Sequence, residues 1–170
     1  MTGEALRILQ RERDLHPVPS KTNNVEVALL ELHFAEGHWN DVWTSAQQVE
    51  STRAEGLRLQ AGVMLGMPLS QLPVQAYVNQ LSAGNRHEIV SELTHLHTML
   101  AGMGRVQEAW QLAQLMGSVH DPSDDPEAWT VAQLRMATSA ERAMQPLDAL
   151  LAFHEAARVA EQLEDLPLRA

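Results

Sequence analysis

The chain repeats one phrase, and that repetition restricts its fold more than any other feature. The clearest copy is Leu93-x-x-Leu96-His97-x-x-Leu100-x-x-x-Gly104-Arg105-Val106-x-x-Ala109-x-x-x-Ala113. An apolar helical face runs into a glycine-centred turn, and a second helix follows with small residues four apart. One such unit cannot bury its apolar face alone, so copies must stack. Two further copies are Gly37-His38-Trp39-x-x-Val42-x-x-x-Ala46 and Pro146-x-x-Ala149-x-x-x-Phe153-x-x-Ala156, and the stretch 66–76 is a weak fourth. The matching turns lie about 29, 38 and 40 residues apart.

The rest of the chain punctuates helices. A leading amphipathic helix is predicted over 1–15, with Ala5, Leu6, Ile8, Leu9 and Leu15 on its apolar face. His16-Pro17-Val18-Pro19-Ser20 breaks it. Helical hairpins are predicted over 23–52, 53–82, 86–117 and 125–164, giving about nine helices in one domain over 1–170. Asn40 or Asp41, Thr52-x-x-Glu55 and Asn85-x-x-Glu88 read as helix starts, as does Asp125 followed by Pro126. A helix from Ser70 can hold Pro73 only in its first turn, and the last helix should end near Pro167. Aromatic residues make up only 4%, and no segment alternates apolar and polar residues, so strands are not expected.

Charge narrows the partners. The net charge is −10, which disfavours direct binding to nucleic acid or to an anionic membrane surface. Cysteine is absent, so disulfides are excluded. No signal sequence or spanning stretch is visible, and the cytoplasm is the expected compartment.

No active-site pattern emerges. The acidic pairs Asp124/Asp125 and Glu164/Asp165 lie at expected helix ends, where acids cap or are solvated. Gly102-Met103-Gly104 follows a helix rather than a strand and is too short for a phosphate loop. Among the eight histidines, His95 and His97 are two apart on a helix and point in different directions. His33 and His38 flank a turn, with Glu31, Glu36 and Asp41 the only acids nearby. Neither a metal, a cofactor nor catalysis is expected. Trp39 and Trp43 share a helix face that serves as packing, or as a binding patch if it lies outside the stack. Trp110 and Trp129 read as packing residues.

Over residues 23–160 the repeated unit resembles the tetratricopeptide repeat family. That resemblance implies an all-α, right-handed stack of antiparallel helical hairpins, an α-solenoid. It places Trp39, Val106 and Pro146 at the large turn position, Ala109 and Ala149 at the small one, and Ala46, Ala113 and Phe153 at the later packing position. The first copy departs in having Val42 where alanine is usual, and the last lacks the turn glycine. Small-residue packing is general, so an irregular helical bundle is the alternative.

The family's groove positions fall on Asn24, Val27, Glu31 and Phe34, then on Arg53, Gln60, Val63 and Met64. The third unit supplies Ser91, Thr94, His95 and Thr98, and the fourth Leu134, Arg135, Thr138 and Arg142. Of these, Phe34, Arg53, Gln60, Met64, His95, Thr98, Arg135 and Thr138 are the expected partner-binding residues. A lysine-based clamp for a peptide carboxylate is not expected, because Lys21 is the only lysine. The implied function is a non-catalytic scaffold or adaptor that binds a protein or peptide in the groove. The alternatives are a sensor domain of a bacterial transcription or signalling system and a homodimerising module. Dimerisation would run through the leading helix or residues 147–160.

Overall fold

The structure is a computed structural model that describes residues 7–9, 11, 19–82, 84–120, 123 and 125–164. The Pro17 break, Asp124, Asp165 and the expected helix end near Pro167 lie outside the described residues. So does most of the leading helix; residues 7–9 and 11 are helical.

Among the described residues all regular structure is helical, as expected for an all-α chain. The α-helices are α1 (Pro19–Ala35), α2 (Trp39–Ser45), α3 (Thr52–Met64), α4 (Val74–Val78), α5 (Arg86–Gly102), α6 (Val106–Gly117), α7 (Pro126–Arg142) and α8 (Pro146–Glu164). Two 3-10 turns, Ala46–Gln48 and Leu69–Gln71, lie between them. By its contacts the chain divides into two compact units, Met1–Leu96 and His97–Ala170, where the sequence reads as one domain. The division falls inside α5.

Four helix ends close in the same way. The amide of His38 donates to the carbonyl of His33 at 2.9 Å, and that of Gly37 to Phe34 at 3.1 Å. Met67 and Gly66 repeat the scheme on Gly62 and Val63, both at 3.0 Å. Arg105 and Gly104 do so on Leu100 and Ala101, at 2.9 and 3.2 Å. Gln145 and Met144 do so on Ala140 and Glu141, at 2.8 and 3.1 Å. The residue after each helix must turn left-handed to make this pair of bonds. Gly37, Gly66 and Gly104 have φ of 80, 78 and 74°, and Met144 has 59°. Met144 therefore stands where the last copy lacks its glycine.

After three of these turns a helix restarts two residues on, and the residue five past the turn is buried: Val42, Ala109 and Ala149. The Gly66 turn differs. Pro68 and Pro73 reduce the expected 70–81 helix to a 3-10 turn and the five-residue α4. Three local expectations are corrected. The helix expected from about Asn23 begins at Pro19, because proline suits the first helical turn. Thr52 is not a cap: Ser51 holds the N-cap position without a side-chain bond, and Glu55 accepts from Gln80 instead, at 2.7 Å. Phe153 is 39% exposed, because Ala152, Ala156 and Val159 form the buried stripe of α8 with Ala149. The start at Asp125 is as expected, its carboxylate accepting from the Ala128 amide at 3.0 Å.

In the first unit, α3 packs on α1, α2 and α4. Leu30, Val42, Ala46, Ala54, Leu57 and Ala61 form a core that Val27, Phe34, Trp39, Trp43 and Val49 surround. Trp39 and Trp43 are thus packing residues, and the Arg58 guanidinium lies 4.5 Å over the Trp43 ring. In the second unit, α7 packs on both α6 and α8. Alanines 109, 113, 132, 137, 140, 149, 152 and 156 are buried there, which lets helix backbones approach closely.

Candidate interaction site

The expected groove residues separate into two groups, one in each unit. In the first unit three of them, Glu31, Arg53 and Gln60, meet around a carboxylate. Arg53 and Gln60 project from α3, Glu31 from α1 and Glu92 from α5. The Arg53 guanidinium donates to Glu31 at 2.8 Å and also pairs with Glu92. The Gln60 amide donates to the other oxygen of Glu92 at 2.5 Å. Glu92 is buried, and a buried carboxylate needs this number of donors. Burial lowers the Arg53 pKa, but the hydrogen bonds and charges of Glu31 and Glu92 outweigh it and raise the pKa overall. Burial, and then the charges of Glu92, Glu88 and Glu55, push the nearby Tyr77 phenol well above its ordinary range. Its hydroxyl donates to the Thr52 carbonyl at 3.2 Å.

These contacts change what the first group can offer a partner. Gln60 is buried, with its amide committed to Glu92. Val63, also carried over as groove-facing, is wholly buried and belongs to the core. Phe34 is half-buried against that core, Met64 is half-buried at the end of α3, and His95 is exposed. A concavity of about 430 Å³ in this unit is lined by Glu50, Thr52, Glu55, Arg58 and Gln80, none of them expected groove residues.

In the second unit the expected residues do converge. Thr98 comes from the last turns of α5, and Leu134, Arg135, Thr138 and Arg142 come from one face of α7. Together with His97, Ala101 and Val131 they line an open concavity of about 400 Å³. Val131 and Leu134 are exposed apolar residues, 55% and 43%, beside the two arginines. His97 is buried in its wall, with Nε2 2.7 Å from the Ser139 hydroxyl. Burial, and then the charges of Arg135 and Arg142, lower its pKa to about 4. The imidazole is therefore neutral near pH 7, and the arginines carry the positive charge of this surface. The Thr138 hydroxyl donates to the carbonyls of Leu134 and Arg135, at 3.1 and 3.0 Å.

Glu92 is not among the residues the sequence points to, and His97 enters there only as one half of a histidine pair, yet each organises its group. Both lie within the apolar stripe Ile89, Leu93, Leu96 and Leu100. A carboxylate and an imidazole inside such a stripe were the available signal.

A further surface lies at the turn before α8 and on the first turns of that helix. Met144, Leu147, Leu150 and Leu151 are 84, 75, 66 and 64% exposed. Residues 147, 150 and 151 share one helix face. No described helix is long and apolar enough to cross a membrane.

Compared with protein-family models, curated proteins and solved structures, the chain matches none of them.

Proposed function

We propose that the chain is a non-catalytic interaction module, built as a stack of tetratricopeptide-like helical hairpins, that binds a protein or peptide segment. The observation that carries this reading is the concavity of the second unit. Thr98, Arg135 and Thr138, with Leu134 and Arg142, are positions that the repeat assigns to a groove, and they line one surface. The repeated turn geometry at Gly37, Gly66, Gly104 and Met144 supports the hairpin architecture. Two arginines beside Val131 and Leu134 suit a segment that carries both acidic and apolar side chains. Selection from a displayed random-peptide library tests the reading. Enriched acidic–apolar peptides should lose binding to Arg135→Glu while its helicity is retained. Failure to enrich any peptide, or undiminished binding to Arg135→Glu, contradicts it.

The exposed face of α8 favours a second reading, self-association. Three large apolar side chains on adjacent turns of this helix, Leu147, Leu150 and Leu151, are in contact with water and suit a two-fold helix pair. Light scattering across a concentration series should show a dimer that Leu147→Glu and Leu151→Glu dissolve. A monomer at every concentration removes this reading.

A further inference from the structure

The helix stop at Gly37 brings together three metal-ligating side chains, and we propose that His33, Glu36 and His38 bind a divalent transition-metal ion, zinc by preference.

The backbone accounts for the convergence. In the helix stop at Gly37, His33 and His38 are the residues joined by the outer of the two closing bonds. This type of turn places those two side chains against each other, and the usual occupants are apolar. The corresponding pairs at the other three turns are Gly62 with Met67, Leu100 with Arg105, and Ala140 with Gln145. Of these four described turns, the one at Gly37 alone pairs two imidazoles. Their Nδ1 atoms face each other at 3.3 Å, and Glu36 Oε2 lies 3.6 Å from His38 Nδ1. All three ligand atoms lie within 4.8 Å of one another.

These separations match a coordination sphere. With zinc–nitrogen and zinc–oxygen bonds near 2.0–2.2 Å, a tetrahedral site places neighbouring donors about 3.3–3.6 Å apart. Two edges of the triangle are at that length. The third closes by rotation of the Glu36 side chain. The Nδ1–Nδ1 contact needs a proton on one of the two Nδ1 atoms, and for a cation to bind both, that ring shifts its proton from Nδ1 to Nε2. The two Nε2 atoms then carry the ring protons. Two imidazoles and one carboxylate favour late first-row ions over calcium or magnesium, which prefer all-oxygen sets.

The surroundings are also suited to a cation. The three ligands cluster at the C-terminal end of the 17-residue α1, where the aligned peptide dipoles give a negative potential. The chain carries a net charge of −10. His33 and Glu36 are half-buried and His38 is exposed, so the remaining coordination positions open to water. The site is therefore exchangeable, unlike a closed four-ligand structural site. Its occupation ties the end of α1 to the start of α2.

The test is zinc titration of the full chain, with any affinity tag removed and the protein stripped by chelator. Calorimetry should find one saturable equivalent, and the thermal midpoint should rise with zinc but not with magnesium or calcium. Cobalt(II) should give the visible spectrum of a tetrahedral site. His33→Asn and His38→Asn should each weaken zinc binding by at least about tenfold. His87→Asn and His154→Asn, elsewhere on the surface, should leave it unchanged. Circular dichroism checks that each variant is folded, and His38, being exposed, is the safer substitution. The absence of saturable binding overturns the proposal, as does binding that survives in both His33→Asn and His38→Asn.

Discussion

Arg53 of α3 and Glu92 of α5 form an ion pair in which the carboxylate is buried and the guanidinium reaches onward to Glu31 at the surface. Thirty-nine residues separate the two in sequence. Removing one partner strands the other. Arg53→Ala should destabilise the chain by about 2–3 kcal/mol, because Glu92 keeps only the Gln60 amide. The double variant Arg53→Met/Glu92→Met should lose less than the sum of the two single losses, since no buried charge remains and only the Gln60 amide is left without its partner. Urea unfolding of the parent, single and double variants measures both. Strictly additive losses would mean that the pair is not coupled.

Gly56 makes room for the same carboxylate. A Cβ at that position would stand 2.7 Å from Glu92 Cγ, and Glu92 is held by Arg53 and Gln60. Gly56→Ala gains about 1 kcal/mol of helix propensity. The overlap should outweigh this and leave a net loss of about 1–2 kcal/mol. In a Glu92→Ala background the same substitution should become neutral or stabilising. Equal effects in both backgrounds would show that Glu92 does not set the limit.

His97 should make stability depend on pH. Its pKa falls from 6.5 to about 4 on folding, through burial and then through Arg135 and Arg142. The unfolded chain therefore takes up the proton first. The stability tied to the neutral ring is fully present above pH 6.5 and is lost as pH falls toward 4. At pH 5 the loss is on the order of 2 kcal/mol relative to pH 7. His97→Gln should remove that part of the slope and leave the contribution of the carboxylates. Parallel stability profiles for the parent and His97→Gln between pH 7 and 5 would contradict the assignment.

Met144 is strained by its position. A left-handed residue other than glycine costs about 1–2 kcal/mol, and this side chain is 84% exposed, with little packing to lose. Met144→Gly should raise stability by about 0.5–1 kcal/mol after the added entropy of the unfolded chain is counted. Thermal and urea midpoints should both rise. A fall would show that Met144 packs more than its exposure indicates.

What the sequence made legible was local. Asp125 and Pro126 marked their helix start because cap and first-turn chemistry involve neighbouring residues only. The glycines at 37, 66 and 104 marked left-handed helix ends for the same reason. Met144 was hidden, since no residue rule assigns methionine to a left-handed turn. The groove residues were only partly legible. Helical spacing sets the face of α3 on which Arg53 and Gln60 lie, but not that Glu92 on another helix covers it. Phe153 was misplaced because the buried stripe of α8 passes from Ala149 through Ala152 to Ala156, which puts the packing position one residue before Phe153. His33 and His38 could have been paired from the turn alone. Their spacing fits no standard ligand pattern, and the turn geometry is what aligns them.

The central claim is that the surface around Thr98, Arg135 and Thr138 receives the partner. Its most direct test places a photo-crosslinking residue at Thr98 or Thr138, and in separate proteins at Leu147 or Leu151. Each protein is then irradiated with a selected acidic–apolar peptide. Crosslinks from 98 and 138, abolished by Arg135→Glu and absent from 147 and 151, are the expected result. Crosslinks confined to 147 and 151 would contradict the claim and move the interaction surface to α8.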